Sequence, residues 1–197
     1  MNALRTAPPV LALAAALVCT GTKVYAQATE VTMHKVDENG VQEAIGTVVI
    51  SATADGVTFT PALKGLPPGP HGFHVHEKPD CGPALDPEKG KSAPAMAAGP
   101  HLDPGGTKRH RGPREEGNLG DLPVLEVDES GNAQTAVLAA RLKLSDLNNH
   151  ALVIHAGADN YSDEPAKLGG GGTRIACGII KIVRTTRSTP APRLAVR

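Results

Sequence analysis

The chain has 197 residues, enough for one ordinary domain, and its 20 basic residues balance its 20 acidic residues. Only 2% of the residues are aromatic, so the core must consist mainly of Val, Ile, Leu and Ala. No block of charge indicates a nucleic-acid surface, and no apolar stretch after the N-terminus is long enough to span a bilayer. We therefore expect neither a nucleic-acid partner nor an integral membrane protein.

Residues 1–26 have the pattern of a secretory signal peptide. Arg5 supplies the positive charge, the apolar run 10–18 is too short for a transmembrane helix, and compact residues precede a cut after Ala26. A lipoprotein cut before Cys19 is the alternative, but Val18 poorly fits the small residue that such a cut needs. This pattern predicts a periplasmic or secreted protein whose mature domain comprises residues 27–183.

Export would leave two of the three cysteines, Cys81 and Cys177. In an oxidising compartment two cysteines favour a disulfide over two free thiols or a two-sulfur metal site. Closing so long a loop would stabilise the fold by roughly 4–5 kcal/mol at most in the loop-entropy model.

Eight short segments with strand patterns follow the leader, separated by turn residues such as Glu38-Asn-Gly40 and Asp55-Gly56. They are residues 30–37, 44–52, 57–63, 71–77, 123–127, 133–139, 151–155 and 173–183. Two long connections, 78–122 and 156–172, interrupt the pattern, and we expect the basic tail 184–197 to be disordered. Hairpin-linked short strands predict an all-β sandwich or barrel.

Six residues in or beside the two long connections could supply metal ligands: His74, His76, His101, His110, His155 and Asp121. His74 and His76 are separated by two positions on a predicted strand, so their side chains face the same side. Imidazole nitrogens suit copper and zinc, and a set of histidines with one carboxylate favours those metals over magnesium or calcium. Spacing alone does not decide which of these residues bind metal.

Five motifs carry more information, and they occur in a fixed order. They are His71-Gly-Phe-His-Val-His-Glu77, Ala98-Gly-Pro-His-Leu-Asp-Pro104, Leu119-Gly-Asp-Leu-Pro123, Val153-Ile-His-Ala-Gly-Ala-Asp-Asn-Tyr-Ser162 and Gly172-Thr-Arg-Ile-Ala-Cys-Gly178. Together, over about residues 30–183, they closely resemble the copper/zinc superoxide dismutases of bacterial periplasms. The resemblance implies an eight-stranded antiparallel Greek-key β-sandwich or barrel with two long functional loops. It also implies an enzyme that converts superoxide to dioxygen and hydrogen peroxide by cycling copper between Cu(II) and Cu(I).

Carried over residue by residue, the resemblance implies that copper binds His74, His76, His101 and His155. His101 would bridge to zinc, and its ring would take up a proton during turnover. Zinc would also bind His110 and Asp121. The family has a further zinc histidine at the position of Asn118, where this chain departs from the pattern. Because an amide oxygen is a weaker zinc ligand than imidazole, we expect a weakened zinc site.

Two more roles follow from the resemblance. Asp159 would link a copper histidine to a zinc histidine, and the alternative is an aspartate that serves only a loop turn. Arg174 would attract and orient the superoxide anion beside copper, against the alternative of a surface ion pair. The sequence also permits a periplasmic copper-binding or copper-buffering protein with little turnover, and the family includes both monomers and homodimers.

Overall fold

The computed structural model describes residues 28–182, so the predicted signal peptide 1–26 and the tail 184–197 lie outside the described residues. The strands are β1 (Ala28–Asp37), β2 (Gly40–Thr53), β3 (Gly56–Leu63), β4 (Gly69–His71), β5 (Phe73–His76), β6 (Ala84–Asp86), β7 (Lys91–Ala93), β8 (Leu125–Val127), β9 (Val137–Ala139), β10 (His150–His155) and β11 (Arg174–Ile180). Three short 3₁₀ helices, Met96–Ala98, Leu144–Leu147 and Lys167–Gly170, complete the regular structure of this region. In this part of the chain no helix has the length and apolar character needed to cross a membrane.

Seven strands form one antiparallel sheet in the order β5-β10-β11-β1-β2-β3-β9, and β4 pairs with β8. Strands that are adjacent in the sheet but distant in the chain, such as β3 and β9, show that long connections cross over. If β4 and β5 are counted together and the β6–β7 hairpin is left out, the eight predicted strands are all present. The all-β prediction is confirmed.

The predicted strand 71–77 is wrong in one respect, because Gly72 divides it. Residues before Gly72 pair with β8, whereas residues after it pair with β10. The Gly72 N–H donates to Gly157 O at 2.8 Å, and Gly72 O accepts from His155 N at 2.8 Å. These bonds connect the strand break directly to the second long loop.

The long connection 78–122 contains more structure than its composition indicated. β6 and β7 form a hairpin whose turn is closed by the Asp86 carboxylate, which accepts the N–H groups of Glu88 and Lys89 at 2.9 and 3.3 Å. Strands of three residues are too short to show an alternating pattern, so this hairpin was not predicted. The strand boundaries also differ elsewhere: β2 begins at Gly40 rather than 44, and β11 ends at Ile180 rather than 183.

The core is aliphatic, as the composition predicts, and it is filled from all sides of the curled sheet. The buried rings of Phe59 and Phe73 belong to this core and meet edge to face, with 5.8 Å between their centroids. A smaller apolar cluster contains the Cys81–Cys177 disulfide, with a Cα–Cα distance of 5.7 Å. The predicted disulfide is therefore confirmed, and it joins the first long loop to β11.

Candidate metal centre

Two adjacent strands bring three histidines together at one edge of the sheet. His74 and His76 lie on β5 and are fully buried, and His155 is the last residue of the neighbouring strand β10. The alternation of a strand explains why the β5 pair can converge, because residues i and i+2 face the same side.

The first long loop adds His101 and Asp121 because its backbone pairs with β5. Val75 accepts an N–H from Leu102 at 2.8 Å and donates its own to Gly120 O at 2.9 Å. A Cβ on Gly120 would lie 2.2 Å from Val75 O, so this close approach requires glycine. Isolated bridges place His101 opposite His76 and Asp121 opposite His74.

Four imidazoles form what we call the four-histidine cluster: His74, His76, His101 and His155. Each offers one donor nitrogen, and these atoms all lie within 4.8 Å of one another. The second nitrogen of every ring is bonded elsewhere, which fixes the ring orientation. His76 Nδ1 donates to Gly99 O at 2.8 Å, and His155 Nδ1 donates to Gly172 O at 3.1 Å.

The atoms left over fit a metal that prefers nitrogen ligands. His76 Nε2 and His155 Nε2 lie 3.4 Å apart, and the buried His74 Nδ1 and His101 Nε2 have no hydrogen-bond partner among residues 28–182. Buried polar atoms without a partner are rare and need an explanation. A copper ion bound by these four nitrogens would satisfy all of them.

A second group, the His–His–Asp cluster, consists of His101, His110 and Asp121, again with donor atoms within 4.8 Å. Asp121 Oδ1 lies 2.9 Å from His101 Nδ1, and its Oδ2 lies 2.9 Å from His110 Nδ1. The second contact does not have hydrogen-bond geometry, so the buried His110 Nδ1 has no hydrogen-bond partner among residues 28–182. A carboxylate oxygen and an imidazole nitrogen that lie close together without forming a hydrogen bond could both be ligands of one zinc ion.

Asp159 connects the two clusters through a pair of short contacts. One carboxylate oxygen accepts from His74 Nε2 at 2.7 Å, and the other accepts from His110 Nε2 at 2.7 Å. The second long loop closes tightly over this carboxylate at Gly169, where a Cβ would collide with Asp159 and the φ angle is +74°.

Burial and neighbouring charge divide the titrating groups into two sets. Burial, together with neighbouring rings, lowers the pKa of His76 and His155, and it lowers that of His101 to about 3. Burial also acts on His110, but the hydrogen bond to Asp159 and the close negative charges of Asp121 and Asp159 outweigh it and raise its pKa to about 9. The rings of His76, His101 and His155 are therefore neutral at pH 7, the protonation state that metal binding requires.

Arg174 lies beside the four-histidine cluster and is 8% exposed. It donates to Ala95 O at 2.7 Å and to Gly99 O at 2.8 Å. Gly99 O is also the acceptor for His76 Nδ1, so one carbonyl orients both the guanidinium and a ring of the cluster. Burial lowers the Arg174 pKa to about 10, which still leaves the side chain charged at pH 7.

Arg141 and Gly169 contribute to the site but were not predicted from the sequence. Arg141 donates to Gly117 O at 2.9 Å and to Asn118 O at 3.2 Å, and thereby fixes the backbone of the segment between His110 and Asp121. A single arginine in a turn gives no sequence signal for such a contact. Gly169 lies within a run of four glycines, and that run could have indicated a close backbone approach.

The remaining histidines make other contacts. His71 is buried, and its ring nitrogens contact His155 O at 2.7 Å and Pro67 O at 2.8 Å. His34 and His150 are partly exposed and contact backbone carbonyls outside both clusters.

A sequence profile of the copper/zinc superoxide dismutases (SODC) matches residues 44–180. The chain belongs to this family. It is 51% identical over 172 residues to superoxide dismutase [Cu-Zn] 2 of Salmonella typhimurium and 49% identical over 172 residues to superoxide dismutase [Cu-Zn] of Escherichia coli K12. Both alignments cover 87% of this chain and 97% of the relative.

Solved structures of copper/zinc superoxide dismutases share the fold. The Brucella abortus enzyme is 46% identical, with a TM-score of 0.76 over 79% of this chain and 100% of that one. The monomeric Salmonella enterica enzyme is 52% identical, with a TM-score of 0.70 over 78% of this chain and 99% of that one. The predicted eight-stranded fold, the superoxide dismutase activity and the use of copper and zinc are confirmed by this membership.

Proposed function

We propose that the four-histidine cluster is the copper site at which superoxide is disproportionated, with Arg174 as the residue that binds the anion. The observation that carries this proposal is the convergence of four buried imidazoles beside a guanidinium fixed by two backbone carbonyls. When bound there, copper supplies a one-electron couple that accepts an electron from one superoxide and returns it to a second. Two superoxide anions and two protons thus yield one dioxygen and one hydrogen peroxide.

The side chains divide the remaining work. Arg174 attracts the small anion and orients it through its forked N–H groups. His101 has an Nε2 without a partner among residues 28–182 and an Nδ1 directed into the His–His–Asp cluster, so with zinc at Nδ1 the neutral ring could hold a proton at Nε2. Asp159 keeps the protons of His74 and His110 on Nε2, which leaves Nδ1 of each ring free for a metal.

The His–His–Asp cluster is the proposed zinc site, with His101 shared between the two metals. Asn118 stands where the family pattern has a further histidine, and we propose that zinc is consequently held more weakly. The two clusters are connected by the protein itself, because Asp159 contacts His74 and His110 and His101 belongs to both clusters.

We further propose that residues 1–26 direct export and that the mature enzyme, residues 27–183, acts in the periplasm. The disulfide between Cys81 and Cys177 supports an oxidising compartment. A homodimer is one candidate assembly, whereas the solved Salmonella enterica relative is monomeric. Sedimentation of the mature protein distinguishes the two states, and N-terminal sequencing of exported protein tests the cut after Ala26.

A superoxide assay on copper-loaded protein tests the function against the copper-buffering alternative. We expect fast disproportionation by the loaded protein and a large loss in Arg174→Met, with copper content unchanged. Arg114→Met is the matched control, because Arg114 is an exposed arginine of the first long loop. Stoichiometric copper without turnover would contradict the enzyme and favour the buffering protein.

A further inference from the structure

We infer that the side-chain oxygen of Asn118 is the fourth ligand of the zinc site, beside His101, His110 and Asp121. With two nitrogen and two oxygen ligands, the site would discriminate only weakly between zinc and harder divalent ions such as Mn²⁺. The inference rests on the proposed zinc site and specifies the chemistry of its fourth position.

The backbone at position 118 is fixed next to the other ligands. The Asn118 N–H donates to Arg109 O at 2.8 Å, which places it against the residue preceding His110. Its carbonyl accepts from Arg141 Nη1 at 3.2 Å and lies 3.5 Å from Asp121 N. These contacts hold the Asn118 backbone between the two segments that carry His110 and Asp121.

The Asn118 side chain is available to a ligand. The residue is only 5% exposed. Its backbone contacts are those given above, and its side-chain amide makes no hydrogen bond to the rest of residues 28–182. Neither amide atom is among the fully buried atoms without a partner, so the amide keeps some contact with solvent, and coordination through Oδ1 would replace a contact with water.

An asparagine can reach the position of a histidine donor. Oδ1 of asparagine and Nδ1 of histidine are both two bonds beyond Cβ. In the His–His–Asp cluster, both His101 and His110 face the shared carboxylate of Asp121 through Nδ1. An oxygen from Asn118 therefore replaces a nitrogen of the same reach, and the donor set changes from three nitrogens and one oxygen to two of each.

The exchange alters which ions the site prefers. Imidazole suits zinc and copper, whereas carboxylate, carbonyl and water oxygens suit Mn²⁺ and Mg²⁺. Removing one imidazole should lower the affinity for Zn²⁺ more than the affinity for Mn²⁺, so the ratio of the two affinities should decrease. Loss of a hydrogen-bonded partner of a ligand already costs about 10–100-fold in metal affinity, so loss of a ligand nitrogen should cost at least about 10-fold for zinc.

The test measures metal binding to protein already loaded with one equivalent of copper, in wild type, Asn118→His and Asn118→Ala. Equilibrium dialysis against buffered Zn²⁺ and Mn²⁺ followed by elemental analysis gives the ratio of the two affinities. Titration with Co²⁺ adds a visible spectrum that reports the donor set. Electron paramagnetic resonance of the copper checks that the first site is intact in each variant.

We expect Asn118→His to bind zinc at least about 10-fold more tightly and to raise the Zn²⁺/Mn²⁺ affinity ratio by a similar factor. Asn118→Ala should bind zinc more weakly than wild type, and its Co²⁺ spectrum should change, because Oδ1 is gone. Equal zinc affinity in wild type and Asn118→Ala would overturn the inference, as would an unchanged ratio in Asn118→His. Failure of copper to bind at the four-histidine cluster would instead contradict the proposed function.

Discussion

Replacing Asp159 by asparagine should damage both metal sites while leaving the fold in place. The carboxylate accepts one N–H from His74 and one from His110, each at 2.7 Å, and all three side chains are fully buried. Asparagine has nearly the same shape but only one acceptor oxygen, so its NH₂ group must face one of the two rings. That ring would then carry its proton on Nδ1, the atom proposed to bind metal.

The structure sets the size of this effect. A hydrogen bond to a charged group is worth about 1.5–3 kcal/mol, and Asp159→Asn loses at least one of two such bonds in a site without solvent screening. We expect the metal-free protein to lose about 2–3 kcal/mol of unfolding free energy, which corresponds to roughly 5–10 °C in Tm for a domain of this size. Metal affinity should fall about 10–100-fold, because the carboxylate orients a ligand of each metal.

Chelator competition and calorimetry measure both quantities. Asp128→Asn is the control, since Asp128 is an exposed turn residue whose carboxylate accepts N–H groups from Ser130 and Asn132. The control should lose some stability but retain copper and zinc as wild type does. Wild-type retention of both metals in Asp159→Asn would refute the assigned role of this carboxylate.

Three further predictions concern charge, pH and the disulfide. Arg174→Met should lower the activity by about 10-fold or more at low ionic strength and should weaken the dependence of the activity on salt. Arg174→Lys should recover part of the activity and part of its salt dependence. Equal kinetics in wild type and both variants would remove Arg174 from the mechanism. In metal-free protein, His76, His101 and His155 have lowered pKa values and take up protons only on unfolding. The free energy of unfolding should therefore decrease as the pH falls below 6.5, by up to about 4 kcal/mol per pH unit. His110 has a raised pKa, so its contribution to the free energy of unfolding is complete below pH 6.5 and is lost as the pH rises through about 9. Urea unfolding that is independent of pH from 5 to 9 would contradict both effects. Replacing Cys81 and Cys177 by serine should lower stability by about 3–5 kcal/mol in denaturant titrations, and no loss would show that the cross-link does not constrain the unfolded chain.

Much of the fold follows from local pattern. The turns at Glu38-Asn-Gly40 and Asp55-Gly56 and the alternating segments around them predict β1 to β3, which the structure confirms. The division at Gly72 was not predictable, because it depends on a bond to Gly157 in a distant loop. The β6–β7 hairpin is too short for periodicity to detect.

The site divides in the same way. The i, i+2 spacing of His74 and His76 indicates that their side chains converge on one face of a strand. The approach of His101 depends on backbone pairing with β5, and His101 lies 25 residues after His76, so residue spacing could not predict it. The prediction that His101 is a metal ligand came from its resemblance to the family motifs. Arg141 lies outside those motifs, and its contacts with the carbonyls of Gly117 and Asn118 became visible only in three dimensions.

Anomalous diffraction at the copper edge, on crystals of the copper- and zinc-loaded protein, tests the central claim most directly. We predict a single copper peak within bonding distance of His74 Nδ1, His76 Nε2, His101 Nε2 and His155 Nε2, adjacent to the Arg174 guanidinium. A copper peak elsewhere, or one bound by fewer than three of these rings in the oxidised protein, would contradict it.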